Sequence, residues 1–159
     1  APITVVCPVT YSQSLSADNV RTRGTALLTL VMALQDIRPV ELYIEFEGSR
    51  GRKDNAIFGL VRVDTAPLDL AQCAYLLCSA AVLRHLGFAF MHEYGFQGKW
   101  GWESWQSASA EHMLKVREAL ELAPQDLLLV NGHAKDPMIT YPLATVNFTL
   151  ARYRQNTEE

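Results

Sequence analysis

The sequence predicts a three-layer, Rossmann-like α/β domain with a mixed β-sheet flanked by helices. Three observations carry this. The first third, Ile3 to Phe46, reads as strand, polar turn, long helix, strand. Strands and helices go on alternating along the rest of the chain, the pattern of helices packed against a sheet. The second and third strands are joined by a short turn, so they pair antiparallel and make the sheet mixed.

Ile3 to Val9 is apolar and β-branched, with Pro8 near its end, and suits a buried strand. The turn Thr10-Tyr11-Ser12-Gln13-Ser14 follows at the strand's carboxyl end, where open α/β sheets bind ligands. It offers hydroxyls and no carboxylate. Ser16 is placed to cap the next helix, with Asp18 in the first turn to complement its dipole. Val20, Leu27, Leu30, Val31 and Leu34 form one apolar face. The small Gly24 and Ala26 would let this helix lie close to the sheet. The helix runs to about Gln35, and Pro39 stops it.

Val40 to Phe46 alternates, with Val40, Leu42, Ile44 and Phe46 on one face and Glu41, Tyr43 and Glu45 on a half-exposed other. Gly48 to Asn55 is a charged turn, Ala56 to Val63 a third strand, and Asp64 to Pro67 a turn. Asp69 to Leu86 reads as a second long helix, apolar nearly all round and so well buried, ended by Gly87. Phe88 to Glu93 reads as a short strand, and Tyr94 to Ser107 as a Gly- and Trp-rich loop. Ala108 to Leu122 is a third helix, broken by Pro124. Asp126 to Val130 is a short strand, followed by Asn131-Gly132-His133. Thr140 to Arg154 reads as a last helix capped by Thr140, with Pro142 in its first turn. Its β-branched residues leave a strand as the alternative.

The 159 residues fit a single α/β domain spanning 1–159. With 49% hydrophobic and 19% charged residues, the composition is globular rather than disordered. A net charge of -3 gives no global basic field for nucleic acid or an anionic membrane. No apolar run reaches the roughly 18 to 20 residues of a membrane span. Cys7, Cys73 and Cys78 have neither the even count of a disulfide framework nor CxxC spacing, so reduced thiols in a cytoplasmic protein are expected. The chain opens on Ala1-Pro2-Ile3 without an initiator Met, which suggests processing or the carboxyl-terminal part of a longer protein. No nucleophile elbow, Walker loop, dinucleotide fingerprint or HxxxH pair occurs, and no cofactor is expected.

The first turn resembles the metal-ion-dependent adhesion motif of von Willebrand factor A domains, Asp-x-Ser-x-Ser. Leu127-Leu128-Leu129-Val130-Asn131-Gly132 is similar to the strand that ends in Thr-Asp-Gly in that family. The resemblance implies that Thr10, Ser12, Ser14 and Asn131 border a ligand edge. Both carboxylates are replaced, by Thr10 and Asn131, whereas a hard cation wants charged oxygens. That implies a degraded metal site in which Ser12 and Ser14 would be the residual ligands. A second resemblance spans roughly residues 5 to 95, through Arg23-Gly24-Thr25-Ala26, Pro67-Leu68-Asp69-Leu70 and Leu83-Arg84-His85-Leu86-Gly87-Phe88. These segments are similar to an uncharacterised domain family encoded by phages and plasmids, whose proteins are longer and carry this domain towards the carboxyl end.

Three further groups bear on function. His92-Glu93 and His133 lie near expected strand ends and would give a general base and its orienting partner if they converged. Trp100, Trp102 and Trp105 cannot share one regular face; they either fold back onto the core or form an aromatic protein-binding patch. Arg50, Arg52 and Lys53 form a small basic tip suited to a solvated turn or to phosphate contact. The reading that joins these observations is a non-catalytic binding or assembly module of a phage or mobile element. It would meet a protein partner around Thr10 to Ser14 and Asn131 to His133, with the tryptophan loop as a second surface. A metal-assisted hydrolase or nuclease using His92, Glu93 and His133 is the first alternative. Single-stranded nucleic-acid binding through Arg50, Arg52, Lys53 and the tryptophans is the second. The oligomeric state is left open.

Overall fold

The computed structural model describes residues 1–11, 15–49, 56–93, 110–129 and 135–155. The apolar opening run forms β1 (Ile3–Pro8), buried at every position but Thr4. α1 (Ala17–Gln35) starts where the sequence places its cap: the Ser16 hydroxyl accepts the Asn19 N–H at 3.1 Å. β2 (Val40–Ser49) pairs parallel with β1, from Ile3 opposite Val40 to Pro8 opposite Glu45. β3 (Ala56–Val63) returns antiparallel along β2. After α2 (Leu70–Cys78), a π-helical turn at Leu83–Gly87 runs into α3 (Phe88–Glu93). α4 (Ala110–Ala119) leads to β4 (Leu127–Leu128), which pairs parallel with β1. α5 (Pro137–Thr140) and α6 (Pro142–Gln155) follow.

The sheet order is β3-β2-β1-β4, a mixed sheet flanked by helices in a Rossmann-like three-layer arrangement. The chain leaves β1 through α1 to reach β2 on one side, and later returns to place β4 on the other. The carboxyl ends of β1 and β4 therefore flank a topological switch point, the place where open α/β sheets hold ligands.

One apolar cluster joins Ile3, Val5, Cys7 and Val9 of the first strand segment to the inner faces of α1, β2 and α2, and to Met138, Val146 and Leu150 of α5 and α6. The alternate β1 residue Val6 and Val116 of α4 are also fully buried, outside that cluster. Val40, Leu42, Ile44 and Phe46 all face the core, as their spacing predicts.

Several expectations need correction. Glu45 is buried rather than half-exposed, although Tyr43 on the same face of β2 is only half-buried. The long helix expected over residues 69–86 breaks at Ser79, whose backbone is extended. Within α2 only Cys73 and Leu77 are buried, and Leu70 and Tyr75 face outward. Gly87 does not end a helix but lies in the π-helical turn, and Phe88–Glu93 is helical rather than a strand. A short apolar run has no decisive periodicity, and here the preceding turn carries it on as helix. Thr140 ends α5 instead of capping α6, and the strand alternative for the last segment is not adopted. Gly24 lies against α2 rather than the sheet: a Cβ there would stand 2.1 Å from the Leu77 carbonyl oxygen. No described helix is long and apolar enough to cross a membrane.

Candidate functional site

β1 leaves the sheet through Val9, whose N–H donates to the Glu45 carbonyl at 3.0 Å. Thr10 and Tyr11 follow, and both are buried. Beneath this exit lies a charged group that the surrounding apolar packing would not suggest. Arg23 of α1 is 1% exposed. Its Nε donates to Asp136 Oδ2 at 2.8 Å, and its Nη1 to the Pro8 carbonyl at 2.9 Å. The guanidinium also stands over the Tyr11 ring, 5.7 Å from the centroid, within cation–π range. The other Asp136 oxygen accepts the Met138 N–H at 2.8 Å and caps α5. The Tyr11 hydroxyl donates to the Leu77 carbonyl at 3.4 Å, near the end of α2.

One side chain thus ties together the end of β1, α1 and the start of α5, and through Tyr11 reaches α2. Burying a guanidinium or a carboxylate alone costs several kcal/mol, so the two ions hold only because each neutralises and hydrogen-bonds the other. Arg23 and Asp136 fix both borders of the switch point. Arg23 holds the last β1 carbonyl, that of Pro8, and Asp136 holds the chain as it comes back after β4.

The same burial sets the acid–base chemistry. Desolvation pushes the Cys7 thiol up to about 12, with the nearby Arg23 cation opposing it. Tyr11 is likewise pushed up to about 12 by burial, again opposed by Arg23. Neither is an anion or a nucleophile near neutral pH. Both hold their protons more tightly folded than at their ordinary values of 9.0 and 10.0. The unfolded chain therefore loses these protons first as pH rises. The stability they contribute is fully present below pH 9.0 and is lost towards about 12. The melting temperature, followed by circular dichroism, should fall through that window, and Tyr11→Phe should flatten the fall. An identical pH profile for wild type and variant would contradict it.

Of the residues the sequence singles out, Thr10 lies at this exit, and its neighbour Tyr11 takes part in the cluster. Ser12, Ser14, Asn131, His133, Trp100, Trp102, Trp105, Arg50, Arg52 and Lys53 lie outside the described residues. His92 and Glu93 are exposed at the end of α3, so they do not follow a strand as expected. Among the described residues no group of three or more His, Cys, Asp or Glu side chains is arranged to hold a metal ion.

Arg23 and Asp136, the buried ion pair of this candidate site, are passed over by the sequence reading, and both carry a signal. Arg23 stands three residues after Val20 and four before Leu27, in phase with the buried face of its helix. Asp136-Pro137 is the signature of a cap followed by proline at the first helical position.

A family model described as a domain of unknown function (DUF7192) matches residues 1–121. No curated protein and no solved structure matches the chain.

Proposed function

The chain belongs to this DUF7192 family, and from that premise we propose that it is a non-catalytic binding or assembly module. It engages a protein partner along the carboxyl edge of β1 and β4, through the hydroxyl turn Thr10 to Ser14 and the segment Asn131 to His133. The observation that carries this reading is the closed polar cluster under that edge. Arg23, Asp136 and Tyr11 hydrogen-bond one another's surroundings and leave the described part of the edge held in place rather than chemically activated. A contact surface gains from such rigidity, because less side-chain and loop entropy is lost on binding.

The likeness to von Willebrand factor A domains rests on the sequence of the turn after the first strand and of Leu127 to Gly132, and the parallel pairing of β1 with β4 is compatible with it. The origin in a phage or mobile element rests on the sequence resemblance over residues 5 to 95. Pull-down from the native host, comparing wild type with Ser14→Arg and Asn131→Arg, tests the reading. The expected result is a partner whose capture falls about tenfold or more in both variants, as for charges placed inside a contact surface, with the melting temperature unchanged. Equal capture by all three proteins would refute the carboxyl edge as the contact surface.

A further inference from the structure

β4 is the outermost strand of the sheet among the described residues, with β1 on one side and no strand on the other. Leu129 just after it donates its N–H to the Val6 carbonyl of β1 at 3.1 Å. Neighbouring residues of a strand direct their backbone groups to opposite sides of the ladder. Leu128 therefore turns its N–H and C=O outward. Such an edge is a template for another strand.

Beside this edge lies a cleft of about 430 Å³, walled by Pro124 to Leu128, by Arg117 from α4, and by Arg152 and Tyr153 from α6. Two arginines thus line one cleft from two helices. Neither belongs to an ion pair among the described residues. Each sits in the last turn of its helix, where its charge offsets the carbonyl end of the dipole. The carboxylate in the wall, Asp126, is turned inward, accepting the Thr4 and Ala123 N–H groups, each at 2.7 Å. The Tyr153 hydroxyl is engaged with the Gln125 carbonyl. The exposed charge of the cleft is therefore positive, on a chain whose net charge is -3. Phe148 lies one turn before Arg152 on the same face of α6 and is 69% exposed.

We propose that this edge docks an acidic segment of a partner protein, which adds to the sheet as a strand beside β4. Main-chain hydrogen bonds to Leu128 supply the pairing, and carboxylates on Arg117 and Arg152 supply the selectivity. The seat adjoins the carboxyl edge but faces another way: Leu128, which pairs with Val6 of β1, turns its backbone groups sideways from the sheet.

The test is selection from a displayed library of random linear peptides, followed by titration of the enriched peptides as synthetic ligands. The expected peptides are rich in Asp or Glu and in β-branched residues, and they slow hydrogen exchange at the Leu128 amide. The charge reversal Arg117→Glu with Arg152→Glu should weaken them by about tenfold or more at low salt, with the melting temperature unchanged. A peptide methylated at its backbone nitrogens should not bind. Failure to enrich acidic peptides, or equal binding by the charge-reversed variant, would overturn the proposal. So would an unprotected Leu128 amide. Concentration-dependent dimerisation that protects Leu128 would overturn it in favour of edge-to-edge self-association. Saturation by free glutamate alone would overturn it in favour of a small-anion site.

Discussion

Asp136→Ala should lower the folding free energy by about 3–5 kcal/mol, the largest loss expected from any single side-chain truncation at this edge. The carboxylate it removes is the ionic partner of Arg23, and both side chains are almost fully buried, 1% and 3% exposed. Truncation strands a guanidinium where water cannot reach it. It also removes the cap on α5, which is worth about 1 kcal/mol by itself. Asp136→Asn should lose less, since an amide oxygen still accepts the Met138 N–H. The joint change Arg23→Met with Asp136→Leu should recover most of the loss, because two apolar side chains need no partner. What it does not recover is the cap and the bond from Arg23 to the Pro8 carbonyl. Urea denaturation at constant m-value checks all four proteins. A loss under about 1 kcal/mol for Asp136→Ala would mean that the pair is solvated, as exposed pairs are.

Gly24→Ala is the second change with a large expected effect, and its sign is the informative part. In an exposed helix interior the substitution stabilises by about 1 kcal/mol, because alanine is the better helix former. Here the new methyl would meet the Leu77 carbonyl oxygen at 2.1 Å, the Leu77 carbonyl carbon at 2.5 Å and the Cys78 Cα at 2.7 Å. All three are backbone atoms, so no rotamer change relieves the contact. α1 and α2 must separate, and a net loss of about 2 kcal/mol or more is expected. The same Leu77 carbonyl accepts the Tyr11 hydroxyl, so the displacement also reaches the cluster around Arg23. Thermal and urea unfolding measure it. A stabilised Gly24→Ala protein would show that the two helices do not approach this closely.

Much of the framework is legible in the sequence, for physical reasons that can be named. β1, α1 and the β2–β3 hairpin are long or strongly periodic, and Ser16 marks a boundary by its own hydrogen bond. Residues 69–93 misled because an almost wholly apolar stretch has no face, so neither the break at Ser79 nor the helical state of Phe88–Glu93 is encoded in its pattern. At the site, Thr10 and Tyr11 stand where the sequence places them, at the end of the first strand, because that position is set locally. The ion pair is not, because Arg23 and Asp136 are 113 residues apart and only the fold joins them. What can be read from each alone is a charge on an apolar helix face and an Asp-Pro helix start. The burial of Glu45 is of the same kind: alternation assigns it to a face, but whether that face is covered at its position depends on contacts distant in sequence.

In the proposed reading, the switch point between β1 and β4 is closed by an internal cation and serves as a contact edge, not as a metal site. Thermal melting with and without Mg²⁺, Mn²⁺ and Zn²⁺ tests it most directly. A ligand that prefers the folded chain stabilises it by about 2.7 kcal/mol at a hundredfold excess over its dissociation constant. The expected result is a melting temperature that does not move with any of the three ions. A saturable rise with one of them, lost in Ser12→Ala with Ser14→Ala, would contradict the claim and restore a metal to this edge.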